Sequence, residues 1–177
     1  VLKSLMEMGM QPLSADQIVA ELYQTDESLI EQIVARYGSE MLDEQGMVQR
    51  RKLAESVFQS VEELDWLEAR LHPRVRKRWI ETLEAKPEQN WAVEIPLLFE
   101  KNLEPHFDYV LCISTYHLEQ LERIQRKNWK KEWFYALNKR QWPLEKKMLH
   151  AQYVITNDGC LDSLHAQACL FADVILQ

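Results

Sequence analysis

Glycine is nearly missing: Gly9, Gly38, Gly46 and Gly159 are the only four in 177 residues. That excludes a flexible Gly/Ser linker, a low-complexity tract and any glycine-rich phosphate loop within the chain. Cysteine is scarce too. Cys112, Cys160 and Cys169 are an odd, widely spaced set with no C-x-x-C, which excludes a disulfide framework and argues for reduced thiols in the cytoplasm. The five histidines contain no H-x-x-x-H pair, so no direct metal-ligand set is expected. No apolar run approaches the ~20 residues needed to cross a bilayer. No secretory signal is visible, and no membrane partner is expected. A formal net charge of −7 argues against a general nucleic-acid surface.

Hydrophobic residues make up 46% of the chain, enough for a core within one domain or one domain with an inserted lobe. The charge is uneven. "RVRKR", Arg74 to Arg78, holds four cations in five residues, and Arg123 to Arg140 holds seven against one acid. Two local basic segments on an acidic protein suit a compact anionic ligand; two solvated helix faces are the plainer alternative.

Apolar spacing predicts a helix in "VLKSLMEMGM" that stops at Gly9, a short extended "QPLSA", and a helix from Ser14–Asp16 onward. Further helices are expected in "DESLIEQIVARYG", "RRKLAESVF", "SVEELDWLEARL" and "HPRVRKRWIETLEA". Ser60 with Glu63 forms a capping-box pattern, and Pro73 falls in the first turn of its helix. "WAVEIPLL", "FDYVLCIS" and "QYVIT" read as strands separated by helices, which implies parallel pairing in a three-layer α/β sandwich. Residues 26–85 hold no strand and read as an inserted helical lobe. Residues 1–25 and 86–177 read as the core, whose sheet looks one strand short.

"WAVEIPLLFE", Trp91 to Glu100, poses the functional question. A plain core strand needs neither a carboxylate at Glu94 nor a proline at Pro96. Together with "SAD" (Ser14–Asp16), "RRKL", "LHP" (Leu71–Pro73), the basic segment and "VITNDG", it resembles the dephospho-CoA kinases, members of the P-loop kinase family. The resemblance runs from Val1 to the end, and the pairing of "LHP" with "EIPLLFE" is its most specific part. The family usually has Asp where this chain has Glu94, and Asp-Ala-Asp where this chain has Ser14-Ala15-Asp16. The family also opens with a strand and G-x-x-x-x-G-K-[ST], whose backbone N–H groups and lysine cradle phosphates. No such motif occurs in this chain, so the strand and loop are expected to precede Val1.

The resemblance implies a P-loop kinase-like parallel sheet, a helical CoA-binding lobe and a lid at about 126–142. It implies transfer of the γ-phosphoryl group of ATP to the 3′-hydroxyl of dephospho-CoA, the last step of coenzyme A synthesis. Asp16 would orient or deprotonate that hydroxyl; a helix-capping role is its alternative. Glu94, with Asp16, would hold Mg²⁺ through water rather than directly. Arg126, with Arg140 second, would contact phosphate, and Asn157 would pass the adenine. Arg50, Arg51, His72 and Arg74 would bind the acceptor's diphosphate. Leu97, Leu98 and Phe99 would form an apolar wall facing the acceptor. The lid aromatics Trp129, Trp133, Phe134, Tyr135 and Trp142 would pack the closed lid or form a partner surface. Another nucleotide or nucleoside kinase, and a non-catalytic CoA-binding homologue, are the competing readings.

Overall fold

The computed structural model describes residues 1–126 and 130–177. The chain divides into two compact units, one of Val1–Pro12 with Glu94–Gln177 and one of Leu13–Val93.

The Leu13–Val93 unit is built on helices α2 (Ala15–Thr25), α3 (Glu27–Tyr37), α4 (Arg50–Val57) and α5 (Val61–Glu84). Helix α3 starts where Asp26 accepts the Leu29 N–H at 2.9 Å and stops at Gly38, whose φ of +93° suits glycine. Ser60 caps α5 by accepting the Glu63 N–H at 3.2 Å. Glu63 does not complete the box, because its carboxylate is turned to α3.

Two separate helices were expected around Pro73, yet α5 runs unbroken through it. An interior proline forfeits one hydrogen bond and crowds the preceding turn, at a cost of about 3 kcal/mol. Burial of Leu64, Leu67, Leu71 and Trp79, on both sides of Pro73, offsets that cost. Helices α2 and α4 both pack on α5, and α2 also packs on α3. Leu29, Ile33 and Leu53 are the largest side chains fully shut off from solvent.

The other unit contains α1 (Leu2–Glu7), α6 (His117–Arg126), α7 (Lys131–Asn138), α8 (Leu144–His150) and α9 (Leu161–Ile175). Strands β3 (Leu111–Ser114) and β4 (Tyr153–Thr156) pair in parallel, with Leu111 opposite Tyr153 and Ser114 opposite Thr156. Helix α9 packs on α1 and β4. Ala168 and Ala172 are fully buried, and small residues there allow a close approach.

Strands β1 (Gln11–Ser14) and β2 (Trp91–Glu94) form a second two-stranded sheet. The chain passes between the two units within β1 and again at the end of β2. The parallel α/β architecture expected from the sequence is present, and the segment after Lys130, read as merely basic and aromatic, is helical. No helix among the described residues is long and apolar enough to cross a membrane.

Candidate active site

In the helical unit, Asp16 lies in the first turn of α2, exposed to solvent. It is not the cap: that position belongs to Ser14, which is buried and whose hydroxyl makes no capping bond. The amino end of a helix favours negative charge, so Asp16 sits where a carboxylate is stabilised while its oxygens stay open to the surroundings.

Arg50 and Arg51 begin α4 with no acid in its first turn, although cations are disfavoured there. Both are exposed and line an open depression with Gln49, Lys52 and Glu55. Arg51 approaches Glu55 at only 3.8 Å, and Lys52 donates to the Glu40 carbonyl at 2.7 Å. Burial pushes the nearby Tyr23 phenol up to about 12, with the positive charge of Arg50 pulling the other way.

The α5 face carries a tighter network. Arg74 Nε donates to Asp26 Oδ2 at 3.0 Å, and its Nη1 donates to the Arg70 carbonyl at 2.9 Å. Its Nη2 reaches the Ser28 hydroxyl at 3.5 Å, so Arg74 is an element of the α3–α5 contact with each guanidinium nitrogen engaged. His72 is half-buried, and Arg78 is exposed.

One turn before Arg74, Arg70 lies over Trp66, with Cζ 3.9 Å from the ring centroid; Arg36 approaches the same ring at 4.8 Å. Arg36 grips Glu63 with two hydrogen bonds of 2.7 and 2.6 Å, and Tyr37 donates to the same carboxylate. The Arg36 bonds, and then that of Tyr37, lower the Glu63 carboxyl to about 2. Burial, and then the Glu63 bond, raise the Tyr37 phenol to about 12. Sequence reasoning singled out none of these residues except Glu63, and that only as a cap partner.

In the other unit, Glu94 ends β2 and is exposed. Pro96 follows after Ile95, and the chain turns back on itself. Lys101 N–H donates to the Leu97 carbonyl at 3.1 Å, and Leu103 N–H donates to the Leu98 carbonyl at 3.0 Å. Proline cannot donate to a ladder, so the turn replaces the strand there. Leu97 and Leu98 emerge half-buried. Phe99 points inward, stacked on Trp142 with centroids 5.7 Å apart and planes 5° from parallel.

Arg126 ends α6 with its side chain 79% exposed and, among the described residues, is drawn to Glu122 at 3.7 Å. Arg140 lies half-buried just past α7. Trp129 falls outside the described residues; Phe134 and Tyr135 meet as a tilted pair on α7, centroids 5.6 Å apart, while Trp142 joins the Phe99 cluster.

Asn157 follows β4, and its loop is fixed by backbone contacts. Its N–H donates to the Ser114 carbonyl at 2.7 Å, while its own carbonyl accepts from Arg123 at 2.7 Å and Thr115 at 3.1 Å. The Tyr116 N–H donates to Asp158 at 2.9 Å. The turn uses these bonds rather than a left-handed Gly159. Arg123, bound also to Glu119 at 2.9 Å, is therefore a residue the sequence reading passed over. Its clue was an arginine four residues after a glutamate on one helix face.

The dephospho-CoA kinase family matches residues 1–163. The dephospho-CoA kinase of Leptospira interrogans is 36% identical over 172 residues, covering 93% of this chain and 81% of its own. That of Fusobacterium nucleatum is 31% identical, covering 99% and 91%. The structure of the Campylobacter jejuni dephospho-CoA kinase superposes with a TM-score of 0.69 over 98% of this chain and 90% of its own. At 24% identity that last likeness speaks for the fold. The anion-ready helix start and the proline-ended strand thus have a common explanation: the chain belongs to the dephospho-CoA kinase family, ATP-dependent phosphotransferases with an alcohol acceptor that act in coenzyme A biosynthesis.

Proposed function

We propose that this chain's residues divide the work of moving the γ-phosphoryl group of ATP to the 3′-hydroxyl of dephospho-CoA as follows. Asp16 orients the hydroxyl and accepts its proton. Its exposed place in the first turn of α2, with no capping duty, supports that role. Mg²⁺ arrives with ATP as part of the substrate. The exposed carboxylate of Glu94 suits holding its water shell.

Arg126 and Arg140 meet the phosphates. Arginine can engage a phosphate with two parallel bonds and stabilise charge that grows in the transition state. The weak 3.7 Å attachment of Arg126 leaves it available. Asn157 belongs to the adenine loop, and the clamp of Arg123 and Thr115 on its carbonyl makes that loop a fixed edge.

For the acceptor, Arg50 and Arg51 bind the diphosphate, and His72 assists. Arg74 adds charge to that face while holding it in place through Asp26. Leu97 and Leu98 present the apolar wall, and Phe99 anchors it from behind. The three cysteines are free, which suits a reducing cytoplasm.

The observation that carries this reading is the uncommitted carboxylate of Asp16 at a helix start in a chain of this family. Its test is steady-state kinetics of the full-length protein with ATP, Mg²⁺ and dephospho-CoA. Production of coenzyme A and ADP is expected. Phosphorylation of nucleosides with none of dephospho-CoA overturns the reading.

A further inference from the structure

Lys147, on α8, is an amphipathic-helix lysine by sequence, yet its side chain is only 15% exposed. Its ammonium is surrounded by acceptors from three separate points of the chain. Glu100 Oε1 lies at 3.0 Å, Gln141 Oε1 at 2.8 Å and the Pro96 carbonyl at 3.3 Å. An ammonium has three donors, and these three partners use them all. Lys147 is therefore committed within the protein rather than offered to a ligand.

Glu100 is 8% exposed and is committed through Oε1, while its Oε2 is buried with no hydrogen-bond partner among the described residues. The same Oε1 also accepts the backbone N–H of Trp142 at 2.6 Å. That bond seats Trp142 where its ring stacks on Phe99, meets the edge of His150 at 5.2 Å and lies under Lys146 Nζ at 3.3 Å.

A buried ion pair is a poor device for stability alone. Well-packed apolar residues of the same size would often serve as well or better. What the pair adds is direction: one nitrogen and one oxygen fix the end of the interrupted strand, the end of the apolar loop and the end of the basic segment to each other. The Pro96 carbonyl is free for this use because the strand has just ended.

We propose that Glu100 and Lys147 are positioning residues for phosphoryl transfer. They hold the Leu97–Leu98 wall and the Gln141–Trp142 end of the arginine-bearing segment in one register. Neither touches substrate. The inference rests on the reading that this wall faces the acceptor and that this segment carries the phosphate contacts.

The test uses full-length protein with Glu100→Gln, Lys147→Met, the double variant and Gln141→Leu. Thermal unfolding and steady-state kinetics for both substrates are measured on each, with rates expressed per folded molecule. Each single variant of the pair leaves a charge without its counter-charge and loses stability. The double variant is expected to recover most of the melting temperature while kcat stays about 10- to 100-fold low, the scale of a slightly misplaced group. The KM for ATP should stay within a few-fold. Gln141→Leu removes one arm without stranding a charge, so it should fold normally and still lower kcat. A double variant or a Gln141→Leu protein with wild-type kcat overturns the positioning role. If instead the unaltered protein leaves dephospho-CoA unphosphorylated, the functional reading fails and not this inference alone.

Discussion

Replacing Asp26 by alanine removes two interactions whose sizes can be worked out separately. The first is the α3 cap, the 2.9 Å bond from the Leu29 N–H. Losing an aspartate cap to alanine costs about 1 kcal/mol. The second is the 3.0 Å link to Arg74, whose partners are 26% and 23% exposed. A hydrogen bond to a charged group contributes ~1.5–3 kcal/mol when sheltered, and solvent screening reduces an exposed pair to ~1 kcal/mol or less. At this intermediate exposure about 1 kcal/mol is reasonable. The sum is about 2 kcal/mol, or a fall of roughly 4–8 °C in Tm for a chain of this size. Asp26→Asn keeps a good capping side chain and loses only the charge, so it should lose about half as much. Urea and thermal unfolding followed by far-UV circular dichroism measure both. A double-mutant cycle with Arg74→Met isolates the link and should show a coupling of about 1 kcal/mol. An Asp26→Ala protein that melts within a degree of wild type, or a cycle with no coupling, would refute the reasoning.

The other predictions concern substrate binding and acid stability. Arg50→Ala and Arg51→Ala should each raise the KM for dephospho-CoA about 10-fold, the loss of one charge-assisted contact, with the KM for ATP unchanged; equal effects on both substrates would count against an acceptor role. Arg123→Met should raise the KM for ATP several-fold by loosening the Asn157 loop, and an unchanged value removes Arg123 from that duty. The Glu63 carboxyl falls from the ordinary 4.5 to about 2 in the folded protein, first through Arg36 and then Tyr37. A depressed carboxyl stabilises the fold above its unfolded value, and that contribution drains away as pH falls from about 4.5 toward 2. Glu63→Gln should therefore lower stability at pH 7 and flatten the acid limb of the stability profile, with parallel acid limbs as the contrary result.

Much of the fold was legible because its signals are local. Ser60 three residues before Glu63, Asp26 before an apolar-periodic run and Gly38 after it each announce a helix end. Pro96 announces the end of β2 in the same way. The continuity of α5 was not read, since a proline after His72 has the local signature of a helix start. The longer signal was present in the stripe Leu64, Leu67, Leu71 and Trp79, which keeps helical phase across Pro73.

The candidate site was legible as residue types rather than as partners. Asp16, Glu94 and the paired arginines stand out by position. That Arg74 is engaged by Asp26, that Phe99 turns inward to Trp142, and that Lys147 is buried against Glu100 depend on contacts between segments distant in sequence. A helical periodicity carries no information about which distant side chain will face a given lysine.

The most direct test of the central claim compares wild-type full-length protein with Asp16→Asn for the rate at which ATP and Mg²⁺ phosphorylate dephospho-CoA. Loss of a positioned base lowers turnover by about 10²- to 10⁴-fold, so kcat should fall by that much while ATP affinity stays close to wild type. An Asp16→Asn protein that turns over at nearly the wild-type rate would contradict it.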